Sequence, residues 1–107
     1  MIADVAARYL AAHDRDDVDA ALATFADDAR VDDDGHQYTG RVAIRDWLAR
    51  ASTEFTYART LTSAEAVDER TWLVGNHLEG DFPGGVVDLR YRFVVVDGQI
   101  AELAIAP

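Results

Sequence analysis

The segment FADDARVDDDGHQYTG, residues Phe25 to Gly40, contains five aspartates and one histidine. Such a set is compatible with a metal site, with a catalytic base, or with the turns between a helix and a hairpin. Residues 29–33 and 37–39 have the composition of short strands, and Asp34-Gly35 between them is a pair that tolerates positive φ. The segment therefore predicts a β-hairpin that directly follows a helix.

Three helices are predicted around this hairpin. The first has an apolar face at helical spacing, which comprises Ile2, Val5, Ala6, Tyr9, Leu10 and His13. The second is capped by Asp16 or Asp17 and runs from Val18 to about Ala26, with inward positions at Ala21, Leu22 and Phe25. The third is capped by Thr39 and runs from Arg41 to about Ala51, with Ile44, Trp47 and Leu48 facing inward.

The second half of the chain has the period-2 alternation of β-strands. Four strands are predicted, at residues 54–66, 70–80, 86–96 and 99–106. Turn sequences separate them at Asp68-Glu69, at residues 82–85 and at Asp97-Gly98. The predicted fold is α+β, with three N-terminal helices packed on one face of a curved antiparallel sheet in a single domain, 1–107.

The alternation also predicts which strand residues face the helices. On the third strand of this set the inward residues are Val87, Leu89, Tyr91, Phe93 and Val95. On the second they are Trp72, Val74, Asn76 and Leu78, so that Asn76 is a polar residue on a core face. A charged ladder is predicted on the outer face, formed by His77, Glu79, Asp88, Arg90 and Arg92.

The composition excludes several classes of function. The formal net charge is −10, from twenty acidic and ten basic residues, so a nucleic acid or an anionic membrane would be repelled. The chain lacks cysteine and lysine, which excludes thiolate and Schiff-base chemistry. Asp4 and Arg8 interrupt the N-terminal apolar residues, which argues against a secretion signal. We expect a soluble, cytoplasmic protein.

The aspartates of the opening segment do not fit a calcium loop. With Gly35 at the sixth position of such a loop, Arg30 and Arg41 would stand at positions one and twelve, where acidic ligands are required. The three histidines, His13, His36 and His77, lie on different predicted elements. We therefore expect neither a metal nor another cofactor.

The order of elements resembles a known family. The segments RYLAAHDRDDVDAALATFADDARVDDDG, YTGRVAIRDWL and EGDFPGGVVDLRYRFVVVDGQIAEL together look like the SnoaL-like branch of the nuclear transport factor 2-like superfamily. The resemblance implies a cone-shaped, cystatin-like domain. The superfamily includes ketosteroid isomerases, polyketide cyclases, dehydratases and epoxide hydrolases, so the fold alone does not choose the reaction.

Comparison with the ketosteroid isomerases implies a set of site residues. Carried over by position, the oxyanion-donating tyrosine matches Tyr9, the base matches Asp33, the next pocket position on the first helix matches His13, and the aromatic of the third helix matches Trp47. Leu89 stands where those enzymes have a second acid, and the neighbouring Asp88 points outward. Together with the inward residues that alternation gives, the candidate ligand-contacting residues are Asn76, Trp47, Trp72, Leu89 and Tyr91.

Structural roles compete with these assignments. Asp33 shares the face of Val31, but at a strand end it could instead bond turn amides. Tyr9 could be a core aromatic, and His13 a helix-end residue favoured by the dipole. Asn76 could bind a buried water or a neighbouring backbone group.

Two hypotheses about function follow. The first is a cofactor-independent isomerase, cyclase or dehydratase that moves a proton on a small apolar carbonyl compound. In it Asp33 is the base and Tyr9 the oxyanion donor, with His13 and Asn76 assisting. The second is a non-catalytic ligand-binding or scaffold domain. In both hypotheses the resemblance implies a homodimer through the outer sheet face.

Overall fold

The computed structural model describes residues 3–107. Its helices are α1 (Asp4–Asp14), α2 (Val18–Leu22) and α3 (Arg41–Glu54). Its strands are β1 (Phe25–Asp33), β2 (His36–Thr39), β3 (Tyr57–Ala66), β4 (Thr71–Gly80), β5 (Val86–Val96) and β6 (Gln99–Ala106). Ile2, predicted on the inner face of the first helix, lies outside the described residues.

All six strands form one sheet in the order β2-β1-β6-β5-β4-β3. The strands from β3 to β6 form the predicted antiparallel meander, but the hairpin of β1 and β2 extends the same sheet because β1 pairs in parallel with β6. The prediction of three N-terminal helices is therefore partly wrong. Only α1 and α2 precede the sheet, and α3 follows the β1–β2 hairpin.

The second helix is shorter than predicted, and its end decides where β1 begins. The Thr24 backbone N–H and hydroxyl both bond the carbonyl of Ala21, which closes the last turn of α2. The Thr24 carbonyl then accepts a bond from Ile100 of β6, so Phe25 enters the sheet as a buried strand residue. Asp27 and Asp28, expected at the helix end, lie on β1 with exposed side chains.

The start of α3 also differs from the prediction. Thr39 is the last residue of β2, and Gly40 occupies the N-cap position without any side-chain cap. Gly40 has φ 85° and ψ 163°, a conformation that residues with a side chain rarely adopt. The helix continues to Glu54, three residues beyond the predicted end, and the next strand begins at Tyr57 instead of residue 54.

The turns follow the predicted chemistry. Asp34-Gly35 and Asp97-Gly98 have positive φ at both positions, as two-residue hairpin turns of type I′ require. The Asp32 side chain accepts a bond from the Gly35 amide and so fixes the first of these turns. Asp33 is thereby not needed for the turn.

The core lies between the helices and one face of the sheet. Its fully buried large side chains are Tyr9, Phe25, Phe93, Ile44, Ile100, Leu103, Val31, Val74 and Asn76. The opposite face carries the charged residues predicted for it, and His77 Nδ1 lies 2.7 Å from Asp88 Oδ1. Within residues 3–107, no helix is long and apolar enough to cross a membrane.

Candidate active site

Tyr9 lies at the centre of the core with an unpartnered hydroxyl. Its ring stacks on His13, one turn later on α1, and meets Phe25 and Phe93 edge-on with centroids 5.5 and 5.9 Å away. Within residues 3–107 the hydroxyl has no hydrogen-bond partner. Burial raises the pKa of Tyr9 well above its usual value, so the group is a hydrogen-bond donor at neutral pH.

Asp33 is held at the end of β1 by the third helix. Trp47 Nε1 donates to Asp33 Oδ2 at 3.0 Å. The Trp47 ring stacks on Tyr38 of β2, and the guanidinium of Arg50 lies over the Tyr38 ring. The half-buried Asp33 carboxylate affects two buried tyrosines, because its charge contributes to the raised pKa values of Tyr9 and Tyr91.

Arg59, on the inner face of β3, links α1 to the middle of the sheet. Its Nε and Nη2 donate to the Asp14 carboxylate at 2.8 and 2.7 Å, and its Nη1 donates to Asn76 Oδ1 at 2.7 Å. The contact with Asp14 raises the pKa of Arg59 above its usual value. The Asn76 side chain is buried, and within residues 3–107 its Nδ2 has no acceptor.

His13 and Tyr57 close the space between α1 and the start of β3. His13 Nε2 and the Tyr57 hydroxyl are hydrogen-bonded. Burial lowers the pKa of His13 below its usual value and raises the pKa of Tyr57 to about 12. At neutral pH the pair is therefore an uncharged imidazole and an uncharged phenol, which suits proton transfer.

An open cavity of about 360 Å³ is bordered by His13 and Tyr57. Its lining consists of His13, Asp14, Asp16, Ser52, Phe55, Thr56, Tyr57, Ala58 and Arg59. His13 stacks on Tyr9, and Arg59 bonds Asn76, so the two unpartnered polar groups lie directly behind two of the wall residues. Neither Tyr9 nor Asp33 lines this cavity.

The register of the sheet explains why these polar groups share one face. Asp33 pairs with Ile105 of β6, and Ile105 pairs with Tyr91 of β5. Two residues before Tyr91, on the same face of β5, Leu89 pairs with Asn76 of β4. With Arg59 and Tyr57 on β3, the inner face of the sheet carries polar groups from one edge region to the other.

The predicted site residues fall into two groups. In the interior His13 bonds Tyr57 and Asn76 bonds Arg59, while Tyr9 and Tyr91 both pack against Phe93. Asp33 and Trp47 bond each other near β2. Trp72 and Leu89 are half-buried residues packed against the core, and Leu89 does not supply an acid.

Sequence reasoning missed Tyr57, Arg59 and Asp14. The signal for the first two was present, because residues 57 and 59 alternate onto one face of a predicted strand. Asp14, at the end of the first helix, had no predicted role in the site. Arg90 and Arg92 are exposed on the outer face, as predicted, whereas Arg59 lies on the inner face with a side chain that is 12% exposed.

No cation site is evident among the residues that the structure describes. Over residues 3–107, no three histidine, aspartate or glutamate side chains converge as metal ligands. The groups that line the interior are donors and acceptors of hydrogen bonds. Groups of this kind form hydrogen bonds to oxygen atoms.

Comparison with models of known protein families identifies the family of the chain. The model of the SnoaL-like domain matches residues 6–103. The chain belongs to the SnoaL-like domain family. It is thereby a member of the nuclear transport factor 2-like superfamily. No curated protein matches the chain.

Solved structures extend the comparison. A proposed polyketide cyclase from Sinorhizobium meliloti is 38% identical, with 96% of this chain and 94% of that chain covered and a TM-score of 0.89. A protein of ketosteroid isomerase-like fold from Catenulispora acidiphila, in complex with trimethylamine, is 19% identical, with 100% and 87% covered and a TM-score of 0.87. A cystatin-fold protein from Novosphingobium aromaticivorans is 18% identical, with 100% and 99% covered and a TM-score of 0.82. The last two share the fold alone with this SnoaL-like chain.

Proposed function

We propose that this SnoaL-like domain moves a proton on a small, largely apolar carbonyl compound, as an isomerase, cyclase or dehydratase does, without a cofactor. The observation that carries the proposal is the buried, unpartnered hydroxyl of Tyr9. A buried polar group without a partner is costly, and such groups in native proteins call for an explanation, of which a ligand is one. The similarity to the S. meliloti protein, a proposed polyketide cyclase, supports the same class of reaction.

The proposed chemistry uses Asp33 and Tyr9 in complementary roles. The Asp33 carboxylate takes a proton from the carbon next to the substrate carbonyl, and the electron pair of that C–H bond moves onto the carbonyl oxygen as an enolate. Tyr9 donates a hydrogen bond to this oxygen. In an isomerisation Asp33 then returns the proton to a second carbon. In a cyclisation the enolate carbon attacks a second carbonyl carbon of the substrate, and the oxygen of that carbonyl takes the proton from Asp33. In a dehydration the enolate re-forms the carbonyl and expels a β-hydroxyl group, which takes the proton from Asp33 and leaves as water.

Three structural features support this division of roles. Trp47 leaves one Asp33 oxygen free of the bond that holds the carboxylate. Burial, with a smaller contribution from the Asp33 charge, raises the pKa of Tyr9 and keeps its hydroxyl protonated as a donor. His13 is neutral and lies between the open cavity and Tyr9, where it can pass a proton to or from solvent.

Proton exchange between simple ketones and deuterated water tests the proposal. We expect the wild-type protein to accelerate exchange at carbons next to the carbonyl for some members of a ketone panel, followed by NMR. Asp33→Asn should lower that rate about 10²- to 10⁴-fold, and Tyr9→Phe should lower it as well. Asp32→Asn is the matched control, because Asp32 only bonds the turn amide of Gly35. An activity that survives both site substitutions would contradict the assignment.

A non-catalytic ligand-binding or scaffold role is the second candidate. The observation that favours it is the separation of Tyr9 and Asp33 from the open cavity, together with Leu89 at the position of a second acid. In this case a ligand would bind with unchanged affinity in Asp33→Asn, and no member of the panel would exchange faster than in buffer. The same experiment therefore separates the two candidates.

We further propose that the outer sheet face forms a homodimer. That face pairs His77 with Asp88 and places Glu79 3.6 Å from the same histidine. Arg90 and Arg92 on the neighbouring strand are exposed, so opposite charges alternate across the surface. A two-fold axis would bring such a pattern against itself with opposite charges in register.

A further inference from the structure

Asn76 is the second buried polar group without a partner, and the direction of its amide is determined by Arg59. A guanidinium only donates hydrogen bonds, so the Asn76 atom that faces Arg59 Nη1 at 2.7 Å must be the carbonyl oxygen. The amide nitrogen consequently faces away from Arg59. It has no acceptor within residues 3–107, although the side chain is only 1% exposed.

The Asp14 carboxylate on α1 holds Arg59 on the side opposite Asn76. Two of its nitrogens bond the Asp14 carboxylate, while the third bonds Asn76, so the guanidinium is fixed in the plane of both contacts. A hydrogen bond from a cation to the amide oxygen polarises the amide and makes its N–H groups better donors. The chain of contacts from Asp14 through Arg59 thus prepares Asn76 to donate to a group inside the domain.

From this arrangement we propose that Asn76 is a second donor to the substrate oxygen, beside Tyr9, and that Arg59 and Asp14 are its positioning residues. This rests on the proposed function. The substrate would then carry an oxygen that accepts two hydrogen bonds and gains negative charge during the reaction, such as a ketone that becomes an enolate. A neutral amide takes the place of the acid that is absent at Leu89, the residue opposite Asn76 on β5.

The position of the two donors behind the cavity wall agrees with this inference. Arg59 lies between the cavity and Asn76, and His13 lies between the cavity and Tyr9. Arg59 bonds Asn76 directly, and its charge also lowers the pKa of Tyr9, against the larger effect of burial.

Binding of 4-nitrophenol tests the inference, because its absorption spectrum distinguishes the bound phenolate from the phenol. The phenolate oxygen imitates an enolate oxygen. We expect the wild-type protein to bind the phenolate near neutral pH. Asn76→Asp should weaken binding about tenfold or more, because it keeps an acceptor for Arg59 but replaces the free donor with a carboxylate oxygen. Arg45→Gln on α3, at an exposed pair with Asp19, is the control and should bind as the wild type does.

The positioning role has its own readout. Arg59→Met leaves the Asn76 amide free to rotate, so we expect weaker phenolate binding in a protein that still binds the un-ionised phenol. Arg59→Lys should restore part of the loss, since an ammonium can still bond the amide oxygen. A loss of phenol and phenolate binding in equal proportion would overturn the positioning role.

The outcomes separate this inference from the proposed function. If Tyr9→Phe weakens phenolate binding and Asn76→Asp does not, Asn76 is not a donor, while the proposed function stands. If neither substitution changes binding, both fail. Absence of wild-type binding at about 1 mM 4-nitrophenol, the weak end of specific affinities, would overturn the inference and the Tyr9 assignment together.

Discussion

Replacing Tyr9 with phenylalanine removes one oxygen atom from the interior and leaves the ring in place. The Tyr9 side chain is 0% exposed, and its ring contacts with Phe25 and Phe93 do not involve the hydroxyl. The hydroxyl has no partner within residues 3–107. The substitution therefore keeps the apolar packing and removes an unsatisfied polar group.

The expected effect is an increase in stability. Burial of a hydroxyl without a hydrogen bond costs about 1–3 kcal/mol in proteins. We expect Tyr9→Phe to raise the free energy of unfolding of the ligand-free protein by about 1–2 kcal/mol. For a domain of about this size, each kcal/mol corresponds to an increase in Tm of about 4–8 °C. The same variant should lose affinity for an oxygen-bearing ligand.

Equilibrium unfolding in urea, with a thermal scan as a second measurement, gives the difference. The dependence of the free energy on urea should be unchanged, since the buried area is the same. Tyr38→Phe is the matched control, because Tyr38 is half-buried and packs on Trp47, and its free energy should change by less than about 0.5 kcal/mol. A Tyr9→Phe protein about 1 kcal/mol less stable than the wild type would refute the reasoning, because the hydroxyl would then be satisfied without a ligand.

Three further predictions concern the surrounding groups. Asp14→Asn should lower the free energy of unfolding by about 1–2 kcal/mol in urea, because Arg59 loses a charged partner, whereas Asp4→Asn at an exposed pair should change it little. The pKa of His13 is lower in the folded protein than in the unfolded chain, so stability should be lost as the pH falls below about 6.5. That loss should be smaller in His13→Gln when urea midpoints are compared between pH 7 and pH 5, and an identical pH dependence would contradict the lowered pKa. Sedimentation should show a dimer that Arg90→Glu dissociates, and an unchanged dimer would exclude the outer face.

Alternation along single strands predicted the faces of the sheet correctly. Tyr91 and Phe93 are buried, and Asn76 lies on the core face with Val74, because the period of a strand depends only on local geometry. The pairing of β1 with β6 was not predicted, since the two strands are far apart in the chain and no local pattern encodes their contact. The end of α2 was not predicted for the same reason, because it depends on the pairing of Phe25 in β1 with the distant Ile100 in β6.

The candidate site was predicted in part. Inward positions for Tyr9 and Asn76 follow from helical and strand periodicity, and the structure has both side chains buried. The partners of the site, Arg59 with Asp14 and Tyr57 with His13, join residues 45 and 44 positions apart. Such long-range contacts depend on how α1 crosses β3, and the composition of either element does not determine that.

The central place of β6 in the sheet has a consequence for how the chain folds. These last eight strand residues join the hairpin of β1 and β2 to the meander of β3, β4 and β5. During synthesis on the ribosome β1 cannot pair with β6 until β6 has emerged, so one edge of β1 stays unpaired until then. We expect slow folding, governed by loop-closure entropy, and a shortened chain without β6 should expose two sheet edges and aggregate.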